Sequence, residues 1–151
     1  MKKILFVLFA IVFSIGSINA QTTEDSVKAV MNKLFEGMKN SDPSLVIASF
    51  GDSAVLQTIA TSKDGKTAVR NVKVSDFAAQ VSKAAKGALD ERIEFETVKI
   101  DANLAIAWTP YKFYYNGQFS HCGVNSFQLV RFNGVWKIQY LIDTRRHQGC
   151  E

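Results

Sequence analysis

The stretch LAIAWTPYKFYYNGQFSHCGVNSFQLVRFNGVWKIQYLID, running from Leu104 to Asp143, decides the fold. Two Asn-Gly dipeptides, Asn116-Gly117 and Asn133-Gly134, split it into three apolar-rich runs, Leu104–Tyr115, Gln118–Phe132 and Val135–Asp143. Asn-Gly tolerates the positive φ values of a two-residue hairpin turn, so between β-rich runs it predicts a hairpin. Two such turns in tandem also set a register, with Tyr115 opposite Gln118 and Phe132 opposite Val135.

Side chains alternate across a strand, so that register assigns faces. One face carries Leu104, Ile106, Trp108, Pro110, Lys112 and Tyr114, then Phe119, His121, Asn125, Phe127, Leu129 and Arg131, then Trp136, Ile138, Tyr140 and Ile142. It reads as the core face. Its register sets Trp108 beside Asn125, Lys112 opposite His121 and Phe127 opposite Tyr140. A face apolar at one end and polar at the other suits a cavity for a small, partly apolar ligand. The candidate ligand-binding residues are Trp108, Lys112, His121, Asn125, Tyr140 and Arg145, and the weak acid–base candidates are His121 and Asp143. Each has a competing structural role: a hydrogen-bonded strand-end histidine, a satisfied buried amide, a core tyrosine, an Asp–Arg pair. Pro110 cannot donate to a ladder, so it marks an edge or a bulge, and a bulge would flip whatever lies beyond it. The opposite face, with Ala105, Ala107, Thr109, Tyr111, Phe113 and Tyr115 beside Ser120, Cys122, Val124, Ser126 and Val130, reads as a partner surface, most economically for a homodimer.

Upstream, Thr22 or Thr23 caps a helix whose apolar positions Val27, Val30, Met31, Leu34, Phe35 and Met38 form one face. Asp42-Pro43 opens a short second helix through Leu45–Phe50, which Gly51-Asp52 breaks. Ala54–Ala60 and Thr67–Val72 read as strands around a turn at Asp64-Gly65. Ser75 caps a third helix that buries Phe77, Val81, Ala84, Ala85 and Ala88, and Arg92–Ile100 reads as one further strand. The fold class is α+β: three helices packed on a curved, mainly antiparallel sheet of about six strands.

The first twenty residues read as a cleaved signal peptide, with Lys2 and Lys3 before the apolar run Ile4–Ile18 and a small residue, Ala20, at the cut. One domain, 21–151, remains, expected to be exported to the periplasm or secreted and to stay off the membrane after cleavage. The leader takes two of the positive charges with it, so the net charge of +4 falls to +2. The remaining Lys and Arg are scattered, without the basic stripe a nucleic-acid footprint needs.

Cys122 and Cys150 are the only cysteines, and export permits a disulfide. The register sets Cys122 opposite Arg145, five residues short of Cys150, and a tail curling back through His147-Gln148-Gly149 would close the bridge. It would contribute roughly 3–4 kcal/mol for a loop of this length. His121 and Cys122 point to opposite faces of one strand, and no paired zinc-type spacing is present, so no metal is expected. No cofactor is expected either.

Ala107-Trp108-Thr109-Pro110-Tyr111, Phe119-Ser120-His121-Cys122-Gly123-Val124, Trp136-Lys137-Ile138 and Asp143-Thr144-Arg145-Arg146 with Cys150 resemble the nuclear-transport-factor-2-like superfamily. These are cone-shaped α+β domains that include ketosteroid isomerase and the SnoaL-like cyclases. Within it the chain is most similar to a small exported bacterial group named for lumazine binding. The resemblance implies the cone fold over essentially all of 21–151, and it supports the homodimer. The superfamily's isomerases place a carboxylate base on the first strand and an acid donor pair deep in the cone. Here the first strand offers Gln57 and Thr58, and the first helix presents Met31, Phe35 and Met38 where a donor tyrosine would sit. No complete catalytic constellation is recognisable. Three readings follow: a binding or accessory domain holding a small molecule, an interaction module with a filled cone, and an isomerase-type or SnoaL-like enzyme using His121 and Asp143.

Overall fold

A computed structural model of the chain describes residues 22–62 and 64–150. The expected signal peptide lies outside the described residues. Helix α1 spans Thr23–Asn40, and Thr22 begins it with a capping box. The Thr22 hydroxyl accepts the Asp25 N–H at 3.1 Å, and the Asp25 carboxylate accepts the Thr22 N–H at 3.2 Å. Helix α2, Pro43–Ser49, starts on the Asp42 carboxylate, which accepts from the Ser44 and Leu45 N–H groups at 2.9 and 3.2 Å. Strand β1, Phe50–Thr61, follows without a break, so Gly51-Asp52 belongs to a strand rather than a loop.

Next come β2 (Thr67–Val72), α3 (Val74–Val81), β3 (Leu89–Ile93), β4 (Thr97–Asp101), β5 (Leu104–Tyr115), β6 (Gln118–Phe132) and β7 (Val135–Thr144). One sheet holds all seven strands in the order β2-β1-β7-β6-β5-β3, with β4 also paired to β5. Every pairing is antiparallel except β1 with β7. The expected single strand Arg92–Ile100 is two strands that share β5 and part at Glu94-Phe95-Glu96. The break sits beside Pro110, whose carbonyl accepts the Glu94 N–H at 2.9 Å. A residue's N–H and C=O leave a strand on the same side, so the donor Pro110 lacks faces the break, where no ladder partner needs it. The third helix has Lys73, not Ser75, at its N-cap, begins at Val74 and ends at Val81; the chain then turns through Gly87, at φ 82°, whose N–H donates to Lys39 O at 2.7 Å.

Both Asn-Gly turns have positive φ at each central residue, 50° and 78° at Asn116-Gly117 and 48° and 85° at Asn133-Gly134. The expected register holds next to each turn and then slips by one. Tyr114 pairs with Phe119 but Phe113 pairs with His121, so Ser120 is an extra residue in β6. Leu129 pairs with Ile138 but Gln128 pairs with Tyr140, so Gln139 is extra in β7. Each bulge reverses the facing beyond it. The inner face of β5 is therefore Ala105, Ala107, Thr109 and Tyr111, all buried, while Leu104, Ile106 and Trp108 face outward. In β7, Leu141 and Asp143 point inward in place of Tyr140 and Ile142. The pairings Trp108–Asn125, Lys112–His121 and Phe127–Tyr140 are replaced by Thr109–Asn125, Phe113–His121 and Phe127–Leu141. Small residues on β5 make room for large ones on β6: Ala107 pairs with Phe127 and Ala105 with Leu129. Val27, Met31 and Leu34 of α1 close over Phe127, Leu129 and Ile138, all at most 1% exposed, and Phe35 meets the Phe127 ring edge-on at 6.3 Å.

Candidate functional site

Where the helices and the sheet diverge, they leave a cavity of about 580 Å3. Leu34, Phe35 and Met38 of α1, Phe77 and Val81 of α3, and Leu56, Val72, Leu89, Phe113 and Leu141 of the sheet supply apolar wall. The exposed side chains Arg70, Gln80 and Lys83 also line it and mark where it meets solvent. It is not filled by side chains, which is the opposite of what an interaction module with a filled cone requires.

The polar end is built by β1, β3, β5, β6 and β7. Asp143 accepts the Thr58 hydroxyl and, at 2.9 Å, the Arg145 Nε–H. Arg145 Nη2 also donates to Thr58 Oγ1 at 3.2 Å. The Tyr111 hydroxyl donates to the Thr144 carbonyl at 2.8 Å and lies 3.4 Å from Asp143 Oδ2. This close approach depends on Gly123, where the Thr144 carbonyl and the Tyr111 ring occupy the place a Cβ would take. On β3, Glu91 stands directly across from Phe113. It keeps some exposed surface, but toward the cavity, and its carboxylate accepts from Asn125 Nδ2 at 2.8 Å.

Burial pushes the Glu91 carboxyl up to about 7, with the Asp143 charge adding to the rise while the Asn125 hydrogen bond and the Arg145 charge oppose it. Burial also raises the Tyr111 hydroxyl, assisted by the charges of Glu91 and Asp143. His121 is lowered from its ordinary value by burial first and by Arg145 and His147 next, which together outweigh the opposing Asp143 charge and favour the neutral form. Burial works against the Arg145 charge, but the charge and hydrogen bond of Asp143 outweigh it and hold the guanidinium protonated. The site thus contains a neutralised ion pair, a neutral imidazole and one carboxyl that changes charge near neutral pH.

Of the residues singled out from the sequence, His121, Asn125, Asp143 and Arg145 line this cavity. Trp108, Lys112 and Tyr140 do not, because the two bulges turn them to the other face. Trp108 is 45% exposed opposite Thr97 of β4, Lys112 borders a second pocket of about 370 Å3, and the Tyr140 hydroxyl donates to Gln57 Oε1 at 2.7 Å. Sequence reasoning missed Glu91, Tyr111 and Thr58. Glu91 fell in the gap between an overlong third helix and a strand started too late. The alternation Leu89-Glu91-Ile93, a charge between apolar neighbours of one parity, is the signal that marks it.

Cys122 and Cys150 form a disulfide, with Cα atoms 5.6 Å apart. It ties the tail to β6 beside a backbone bridge in which Cys122 pairs with Arg146 rather than Arg145, the one-residue slip from Gln139 carried forward. Among the described residues, no group of three or more His, Cys, Asp or Glu is placed to hold a metal ion, and no helix is long and apolar enough to cross a membrane.

Several solved structures with this architecture are described as nuclear-transport-factor-2-like. A protein of unknown function from Shewanella baltica superposes with a TM-score of 0.65 at 15% identity, over 82% of this chain and 93% of its own. One from Shewanella oneidensis gives 0.63 at 12%, over 82% and 99%. A domain from Nostoc punctiforme, described as having a cystatin-like fold and also of unknown function, gives 0.65 at 17%, over 85% and 81%. No protein of curated function matches the chain. The family model described as "Putative lumazine-binding" matches residues 22–140, and the chain belongs to that family.

Proposed function

We propose that the chain is an exported small-molecule-binding domain that holds a partly apolar ligand in the cone, with the Glu91–Asn125 end fixing its orientation. The observation that carries this reading is the cavity itself, apolar on most of its wall and polar at one end. The family's description, "Putative lumazine-binding", supports a small-molecule reading of this cavity. The leader read from residues 1–20 and the disulfide both suit an oxidising compartment, the periplasm or the exterior. The test is to purify the mature chain under native conditions from its own host, extract what it carries and identify that by mass spectrometry. A discrete small molecule in stoichiometric amount supports the reading; protein that arrives and stays empty counts against it.

The partner surface expected on Ala105, Ala107, Thr109 and Tyr111 is buried in the core, and the outward face of the sheet suits a second copy in its place. Leu104, Ile106 and Trp108 stand 42–48% exposed on neighbouring outward positions of β5. Sedimentation of wild type and Trp108→Glu checks this: a dimer that the charge converts to monomer is expected, and a wild-type monomer contradicts it.

A further inference from the structure

We propose that the polar end of the cavity recognises a protonated amine, a small ring-bearing cation whose ammonium group pairs with the Glu91 carboxylate. This rests on the reading of the cavity as a small-molecule site. The two carboxylates there are answered differently. Asp143 has Arg145 and the Thr58 hydroxyl. Glu91 has one neutral donor, Asn125, and among the described residues no Lys, Arg or His lies within ion-pair distance of it. A buried carboxylate with no counter-charge is costly, so it keeps a proton or takes a cation. With no cation beside it, burial keeps the proton on up to about pH 7. An arriving ammonium group takes the proton's place.

The charges lining the same space leave that assignment standing. Arg145, just beyond β7, is neutralised by Asp143. His121 of β6 is held toward its neutral form, and burial raises the Tyr111 hydroxyl of β5, which keeps its proton. Arg70 of β2 and Lys83 beyond α3 are exposed at the rim, where water and salt screen them. The unanswered charge inside is that of Glu91. Phe113 pairs across from it and Tyr111 adjoins, and aromatic faces next to a carboxylate suit a cation.

Proton balance gives the signature. The ligand enters as an ammonium ion, the Glu91 carboxyl releases its proton to solvent and an ion pair forms. One proton is lost per ligand bound, so affinity rises with pH up to the carboxyl's own titration and then levels. The test uses three probes of one shape and different head charge, naphthylmethylamine, naphthylmethanol and naphthoate, titrated into the mature protein at about pH 6 and about pH 8. At the higher pH the amine should bind about tenfold or more tighter than the alcohol, and that ratio should shrink several-fold at the lower pH. In Glu91→Gln the ratio should fall to near one and lose its pH dependence, and a melting curve should show the variant folded. An amine preference absent from wild type, retained undiminished in folded Glu91→Gln, or exceeded by naphthoate overturns the amine assignment. If the alcohol binds without amine preference, that assignment alone fails. If none of the three binds, the cavity reading fails with it. The pH dependence in wild type decides the matter independently of the variant.

Discussion

Replacing Glu91 by glutamine removes a carboxyl whose ionisation burial resists, and the stability change has a definite sign and pH window. The carboxyl's ordinary value is 4.5, and in the fold it lies at about 7. Between those two values the folded chain holds a proton the unfolded chain has released, so wild-type stability is full below the lower value and falls as pH rises through the upper. At ~1.4 kcal/mol for each pH unit crossed between 4.5 and about 7, the ceiling is about 3.5 kcal/mol. Glu91 keeps some exposed surface, and solvent screening there leaves about 2 kcal/mol. Glutamine keeps an oxygen for the Asn125 N–H, so no donor is orphaned. Urea unfolding of wild type and Glu91→Gln at about pH 5 and about pH 8 isolates this group, because every other titration is common to both chains. The variant should gain about 2 kcal/mol on wild type between the two conditions. A difference that stays constant with pH would refute the claim that this carboxyl is enclosed.

Two further outcomes follow from the geometry. Replacing Cys122 and Cys150 together by serine should cost about 3–4 kcal/mol for a bridge spanning 28 residues, measured by urea unfolding without reductant; a loss below about 1 kcal/mol would mean the tail is held by its other contacts. Gly123→Ala should cost about 1–3 kcal/mol, toward the upper end because a backbone carbonyl rather than a flexible side chain is in the way. An unchanged unfolding midpoint would contradict the close approach of Thr144.

The architecture is legible because its signals are local. The capping box at Thr22, Asp42-Pro43 and the two Asn-Gly turns each determine structure within a few residues, and the apolar stripe of α1 names the core that covers the sheet. The facing of β5 and of distal β7 is not legible, because one extra residue in each of β6 and β7 inverts it. Ser120 and Gln139 carry no local mark: neither is glycine, and both sit in runs that read as unbroken strands. Pro110 drew attention to a bulge but answers instead to the gap between β3 and β4. The site inherits the same pattern. His121 and Asn125 were placed from β6, whose inward positions survive the slip, whereas Trp108, Lys112 and Tyr140 were assigned from strands whose facing reversed. Glu91 is marked in the sequence only by its alternation with Leu89 and Ile93, and its place at the site rests on β3 pairing with Phe113, a contact between distant segments.

The most direct test of the cavity as a ligand site is to fill it. Ala84 lines the space just beyond α3 and is only half-buried, so Ala84→Trp places an indole in the cavity without displacing core atoms. Naphthylmethanol should bind wild type saturably at one site per chain, and Ala84→Trp should melt like wild type yet bind at least tenfold more weakly, a loss of ~1.4 kcal/mol or more. Equal binding by the two folded proteins would place the ligand elsewhere and contradict the account.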